Sequence, residues 1–260
     1  MVNKVKFDDF KAILLRESKR GNLEIVNGEI VNGEEEYIPS DSFLKLEEIA
    51  LQNCSVGQLY FLARDVEGLD VKRFGEKVIE SGDAEFNYKF AENIPGADVM
   101  AHGQVVIESG DPRFNYFFAK EIKGADVKAH GEVVIESGDP NYNCCFAMSV
   151  PGADVKAHGK AVIESGHVNF NYTFAKNVEG ADVKAHGEVI AQFGSAEDNF
   201  SFAKLIPGAD ILVHGEAIMK NGKQKQVRAF EEYFGIDLKK KLQEKAIYDA
   251  FENGEEIEFC

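Results

Sequence analysis

The sequence predicts an all-α protein, a right-handed α-solenoid of six 28-residue helical hairpins with a small α+β cap at its N-terminus and a helical cap at its C-terminus. Three observations carry this prediction. A motif of the type GADVKAHGEVVIESGDP recurs at a fixed spacing of 28 residues, apolar residues follow the helical period, and Asp and Gly bracket helix-length segments. Units this small bury their apolar faces only against their neighbours. The motif copies open at Gly68, Gly96, Gly124, Gly152, Gly180 and Gly208.

Residues 1–54 are predicted to form a cap on the N-terminal end of the repeat array. They contain the amphipathic segment VKFDDFKAILLRESKR and a further helical segment, SFLKLEEIALQN. Between them, Asn27 and Gly28 stand between Val/Ile runs, which predicts a tight β-hairpin.

Residues 55–222 are predicted to form the six helical hairpins. The first half of a unit, such as DPRFNYFFAKEI, begins with Asp111 at the helix N-cap and Pro112 at the first helical position. Phe114, Phe118 and Ile122 then recur at i, i+4 and i+8, which places them on one face of a helix. A Gly ends each first helix.

The second half of each unit predicts a second helix. It begins at a capping Asp and ends near a Gly suited to a left-handed conformation. The expected C-terminal glycines are Gly110, Gly138, Gly166, Gly194 and Gly222.

A β/α horseshoe is the alternative to paired helices. The Val-Val-Ile runs and the internal glycines would suit strands. Residues 83–204 contain no Leu, however, and the Asp and Gly stops bracket helix-length segments. We therefore favour helices.

The C-terminal region, residues 223–260, predicts two helices split at Gly235 and an acidic tail. Such a region is expected to cover the exposed face of the last repeat. Residues 55–222 resemble the short helical-hairpin solenoids, such as HEAT-like and tetratricopeptide-like arrays. The resemblance is architectural, because the consensus residues of those families are missing, and it implies no functional residues.

Charge and cysteine content restrict the function. The chain has 29 basic and 45 acidic residues and a net charge of -16. A basic face is normally needed to bind nucleic acid or an anionic membrane, so we expect neither as a partner. The four cysteines show no metal-ligand spacing, and no signal peptide or membrane span is recognisable. We expect a cytoplasmic protein without a metal or cofactor.

Five of the six histidines occupy one repeat position: His102, His130, His158, His186 and His214. Equivalent residues on stacked helices lie about 8–10 Å apart, too far to share a zinc ion. Asn87, Asn115, Asn143, Asn171 and Asn199 recur in the same five units. In the first unit Leu59 and Phe74 replace both residues together, which predicts a structural Asn–His hydrogen bond.

A glycine follows this His or Phe position in all six units, and we expect it to permit close helix packing. Glu108, Glu136 and Glu164 recur near the end of the second helix. They indicate either an ordinary solvated face or an acidic stripe for a basic partner.

The positions that vary between units predict the binding surface. On one face of the first helices, the third unit has Arg113, Phe117 and Lys120, the fourth has Cys145 and Met148, and the fifth has Thr173 and Lys176. Uncharged Phe, Cys and Met at expected solvent positions indicate a contact surface, although drift on an unused surface would give the same pattern.

These observations predict a non-catalytic protein–protein interaction scaffold. The alternative is an acidic inhibitor or decoy, of the phage anti-defence or immunity type, that blocks the nucleic-acid groove of a basic protein. An enzymatic function would need a pocket in one of the caps and is the weakest of the three hypotheses.

Overall fold

The computed structural model describes residues 5–19, 24–26, 29–31 and 40–253. Their fold is all-α, with helices that pack in series against their neighbours. The helices of these residues are α1 Phe7–Ser18, α2 Asp41–Asn53, α3 Val56–Asp65, α4 Val71–Glu80, α5 Ala84–Asn93, α6 Val99–Glu108, α7 Pro112–Glu121, α8 Val127–Glu136, α9 Pro140–Ser149, α10 Val155–Glu164, α11 Val168–Asn177, α12 Val183–Phe193, α13 Ala196–Leu205, α14 Ile211–Asn221, α15 Gln224–Phe234 and α16 Leu238–Glu252.

Each predicted unit contains two helices, as expected. We call the first helix of each unit its A helix (α3, α5, α7, α9, α11 and α13) and the second its B helix (α4, α6, α8, α10, α12 and α14). The horseshoe alternative is therefore wrong for residues 55–222. The helical prediction succeeds because Asp and Gly placement outweighs the strand preference of the Val-Val-Ile runs.

Contacts between Cα atoms divide the chain into two compact units, Met1–Val133 and Val134–Cys260. In the first unit α5 packs against α3, α4, α6 and α7, and in the second α11 packs in the same way against α9, α10 and α12. The three-part division at residues 54 and 222 stays a prediction.

The N-terminal segment matches its prediction only in part. Glu24–Val26 and Glu29–Val31 form two strands, β1 and β2, which pair antiparallel. Asn27 and Gly28, on which the hairpin prediction rested, lie outside the described residues. A two-stranded ribbon of three-residue strands is too short to form a stable layer alone. The α+β cap is therefore not supported, and the class is all-α.

Side-chain caps define the helix starts. The Asp98 carboxylate accepts a hydrogen bond from the Ala101 amide at 3.0 Å, and Asp111 caps α7, with Pro112 at its first position. These contacts satisfy backbone donors that have no partner within the helix.

The prediction that a Gly in the left-handed conformation follows each B helix is confirmed only in part. Gly110 has a φ of 67°, but Gly194 and Gly222 have φ values of -80° and -91°, so the left-handed prediction is wrong for these two. In the earlier repeats a Ser precedes the Gly, and Ser109 donates to the Val106 carbonyl at 2.6 Å. Phe193 and Asn221 replace that Ser, and α12 and α14 each run to eleven residues.

Phenylalanine fills the centre of successive repeats. The buried members, fully shielded from solvent and spaced by 28 residues, are Phe90, Phe118, Phe146, Phe174, Phe202 and Phe230. Phe230 belongs to α15, beyond the predicted array, and contacts Gly215 as Phe202 contacts Gly187. The A-helix packing of the repeats thus continues into α15.

Candidate functional site: histidine pairs and an open groove

The predicted Asn–His pair is confirmed in all five units. Nδ1 of His102 lies 2.7 Å from Oδ1 of Asn87, and the other four pairs are joined at 2.7 or 2.8 Å. All ten side chains are at most 1% exposed. Each pair links the A helix to the B helix of one repeat, so the recurring histidines act in packing.

Asparagine also reaches the preceding repeat. Nδ2 of Asn87 donates to the Val78 carbonyl at 3.0 Å and to the Asp83 carbonyl at 2.8 Å. Because both amide hydrogens are used, Oδ1 must accept, and Nδ1 of His102 carries the proton. In the neutral imidazole the lone pair is then on Nε2.

The protein environment opposes protonation of these imidazoles. Burial lowers the pKa of His102 from 6.5 to about 4, and the charge of Asp98 offsets this only in part. The other four paired histidines have pKa values lowered to about 4 for the same reasons. A neutral histidine is the form that this packing requires.

Glycine makes room for the next repeat's His at the four positions where the distances are known, Gly75, Gly103, Gly159 and Gly187, as expected. The His130 ring stacks on Phe118 with ring centroids 4.7 Å apart. A Cβ placed on Gly103 would lie 3.2 Å from the Phe118 ring and 3.5 Å from Nε2 of His130. A larger residue there would push the next repeat away.

The described residues contain no group of three His, Cys, Asp or Glu side chains placed to hold a metal ion. Burial raises the pKa of the Cys144 thiol to about 12, which disfavours the nucleophilic thiolate.

The predicted contact positions include charged residues that face rings of their own helix. The Arg113 guanidinium lies 4.2 Å from the Phe114 ring centroid, Nζ of Lys120 lies 5.3 Å from that of Tyr116, and Nζ of Lys176 lies 5.9 Å from that of Tyr172. These contacts hold the cations in place while leaving them exposed.

The uncharged contact positions are less exposed than the sequence suggested. Phe117, Cys145 and Thr173 are half-buried, and the Phe117 ring lies 6.1 Å from that of Tyr88. The expectation that all three face solvent is wrong; at Phe117 the cause is packing against the Tyr88 ring of the neighbouring A helix. Met148 is 43% exposed.

One pattern explains much of the variation at the Met148 position. Where the ring of Tyr116 or Tyr172 stands four residues earlier, this position is Lys120 or Lys176. In α9 the ring is replaced by Cys144 and the lysine by Met148. Cation and ring change together between α7, α9 and α11, but not in α5, where Tyr88 stands four residues before Glu92 and donates to it at 3.0 Å.

The three glutamates of the possible acidic stripe, Glu108, Glu136 and Glu164, are exposed, and two of them contact residues of their own helix. Glu108 accepts from the Gln104 amide at 2.8 Å, and Glu164 lies 3.6 Å from Lys160. Glu136 is also exposed. These contacts favour the solvated-face interpretation.

An open groove lies between α10 and α12, above α11. Its volume is about 600 Å³, and its lining includes Gly159, Phe174 and His186. The sequence alone does not reveal this groove, because neighbouring helices create it. One sequence signal was present: Lys160 lines the groove at a position where the other repeats have Glu or Gln.

Fold and site together define a helical-repeat protein whose recurring polar residues stabilise the contacts between helices. Comparison with protein-family models, curated proteins and solved structures finds no match for this chain. Within the described residues, every helix is too short or too polar to cross a membrane.

Proposed function

We propose that the chain is a non-catalytic interaction scaffold, a right-handed α-solenoid that binds a partner protein on its repeat surface. One observation carries the proposal: the His and Asn side chains that recur through the repeats are buried and paired with each other. The predicted contact residues, which differ between repeats, lie at exposed or half-buried positions. We therefore assign recognition of the partner protein to the surface formed by residues that differ between repeats.

The exposed residues Arg113, Lys120, Met148 and Lys176 remain the proposed contacts on the A helices. The side chains of Arg113, Lys120 and Lys176 are partly ordered by neighbouring rings, which reduces the entropy lost on binding. The groove between α10 and α12 supplies the concave apolar surface that an anchoring side chain needs.

Capture on the immobilised full-length chain, from an extract of its native host, would supply a candidate partner for measurement with purified proteins. We expect Arg113→Glu with Met148→Glu and Lys176→Glu to weaken binding at least about tenfold, because such contacts carry most interface energy. The melting temperature should stay nearly constant.

A matched set, Glu108→Lys with Glu136→Lys and Glu164→Lys, changes exposed residues of the B helices instead. Binding that withstands the A-helix set but disappears with this set would reassign the interface to the acidic stripe. Unchanged binding in both sets, and with Ile163→Gln in the groove, would refute every surface proposed above.

The second candidate is an acidic decoy for a basic nucleic-acid-binding protein. The net charge of -16 favours it, whereas the contact between Glu164 and Lys160 reduces the free charge of the stripe. A decoy requires that binding falls steeply with added salt and competes with nucleic acid. Salt-insensitive binding would exclude it.

A further inference from the structure

The second half of α16 carries exposed apolar side chains. Ile247, Tyr248 and Phe251 are 48%, 70% and 76% exposed. Ile247 and Phe251 are four residues apart and Tyr248 follows Ile247, so all three lie on one side of the helix. Single exposed apolar residues are ordinary on a protein surface, but three on one helix face indicate a contact surface. We call these three residues the terminal face.

The repeat array gives this part of α16 little support. Of the fifteen residues of the helix only Leu238 is buried, and it lies against Gly215 of α14. Leu242, one turn later, is half-buried, and residues 246–249 are exposed. An isolated helix of this length is marginally stable in water. A molecule that covers the terminal face would supply the packing that the array does not.

The charges of α16 oppose its helix dipole. Lys239, Lys240 and Lys241 occupy the first turn, and Asp249 and Glu252 occupy the last. A helix by itself is stabilised by the opposite order, with acids first and bases last. Local helix stability therefore does not account for this order of charges, whereas a contact between two molecules does.

The charges fit a second copy of the same helix in antiparallel orientation. There the basic first turn of each helix lies beside the acidic last turn of the other, and two-fold symmetry forms this contact twice. Lys241, Tyr248 and Glu252 are spaced by seven and four residues, so they share one flank of the helix. Equivalent flanks face each other in an antiparallel pair, which brings Lys241 of one copy to Glu252 of the other. The terminal faces then meet between these charged contacts.

We propose that the terminal face joins two copies of this chain, with α16 packed antiparallel against α16. An anionic membrane fits less well, because Asp249 and Glu252 flank the apolar residues and the chain has a net charge of -16. A helix pair this short buries less surface than a standard interface, so we expect a dissociation constant of about 10–100 µM. The surface lies outside the A helices and the groove, so this inference goes beyond the proposed partner binding.

Analytical ultracentrifugation of the full-length chain, from about 1 to 500 µM, tests the association. We expect a reversible equilibrium between monomer and dimer. Added salt should weaken the dimer, because it screens the attraction between opposite charges. A parallel pair would place lysines against lysines, and added salt would strengthen it.

Two charge-reversal variants test the antiparallel contact. One carries Lys240→Glu with Lys241→Glu, and the other carries Asp249→Lys with Glu252→Lys. Each alone should dimerise at least about tenfold more weakly, because like charges face each other. An equimolar mixture should form a heterodimer with about the original affinity, because opposite charges face each other again. Both sets place charges as the helix dipole prefers, so the melting temperature should not fall.

A third variant tests the apolar contact. Ile247→Gln with Phe251→Gln should weaken the dimer at least about tenfold through loss of buried apolar surface. The matched control, Phe193→Gln with Met219→Gln, changes exposed apolar residues of α12 and α14 and should leave the dimer unchanged.

A chain that stays monomeric at the highest concentration would overturn the inference and leave residues 254–260 or another protein to cover the terminal face. A dimer that salt strengthens, a mixture that forms no heterodimer, or a dimer that only the control variant weakens would also overturn it. Binding to phosphatidylserine vesicles without self-association would reassign the terminal face to a membrane surface. Partner binding on the A helices does not depend on any of these outcomes.

Discussion

Mild acid should destabilise this protein through its five buried histidines. Burial holds each folded-state pKa near 4, whereas an unfolded chain titrates near 6.5. Between these values the unfolded state binds more protons, so stability rises with pH. The contribution is fully present above about pH 6.5 and is lost as the pH falls towards 4.

The size of the effect follows from the two pKa values. At pH 5.5 one such histidine has lost about 1 kcal/mol of its contribution relative to pH 7.5, and five together have lost about 5–7 kcal/mol. This is comparable with the whole stability of an ordinary domain. Most carboxylates remain ionised in this interval, so the histidines dominate the change.

Urea unfolding, followed by far-UV circular dichroism between pH 7.5 and 5.0, measures this dependence. The matched variant Asn143→Leu with His158→Phe keeps four paired histidines and should reduce the slope of stability against pH by about one fifth. NMR of the histidine rings should find protonated Nδ1 in the folded state. Stability that is constant from pH 7.5 to 5.5, or folded-state titration of these rings near 6.5, would refute the reasoning.

Four further outcomes are expected. Asn143→Leu or His158→Phe alone should cost about 1–3 kcal/mol in urea unfolding, and the double change should recover part of the loss; simple additivity would show that the two residues do not interact. Gly187→Val should cost about 1–3 kcal/mol, because a Cβ at Gly187 would lie 3.1 Å from Phe202, and an unchanged melting temperature would contradict this packing. Asp182→Ala should cost about 1 kcal/mol through loss of the α12 N-cap, measured in the same way. Far-UV circular dichroism should be dominated by helix, and a strand-dominated spectrum would contradict the fold.

The sequence by itself determined the repeat and its local structure. Capping Asp residues, Pro112 at a helix start and apolar residues at helical spacing act within one turn of chain, so they located the helices without tertiary information. The Asn–His pair was also predictable, because the first unit lost both partners together to Leu59 and Phe74. Simultaneous loss reveals a contact when each residue alone would leave the other unpaired.

Only the tertiary structure decided which positions are exposed and where a cavity forms. Phe117, Cys145 and Thr173 have the helical spacing of a solvent face, yet all three are half-buried, Phe117 against the Tyr88 ring of α5. The groove at Gly159 and His186 depends on the separation of α10 and α12, and the second hydrogen bond of each Asn reaches a carbonyl in the preceding repeat. Periodicity within one helix cannot fix these features, because they depend on the distance between helices, which side-chain packing sets.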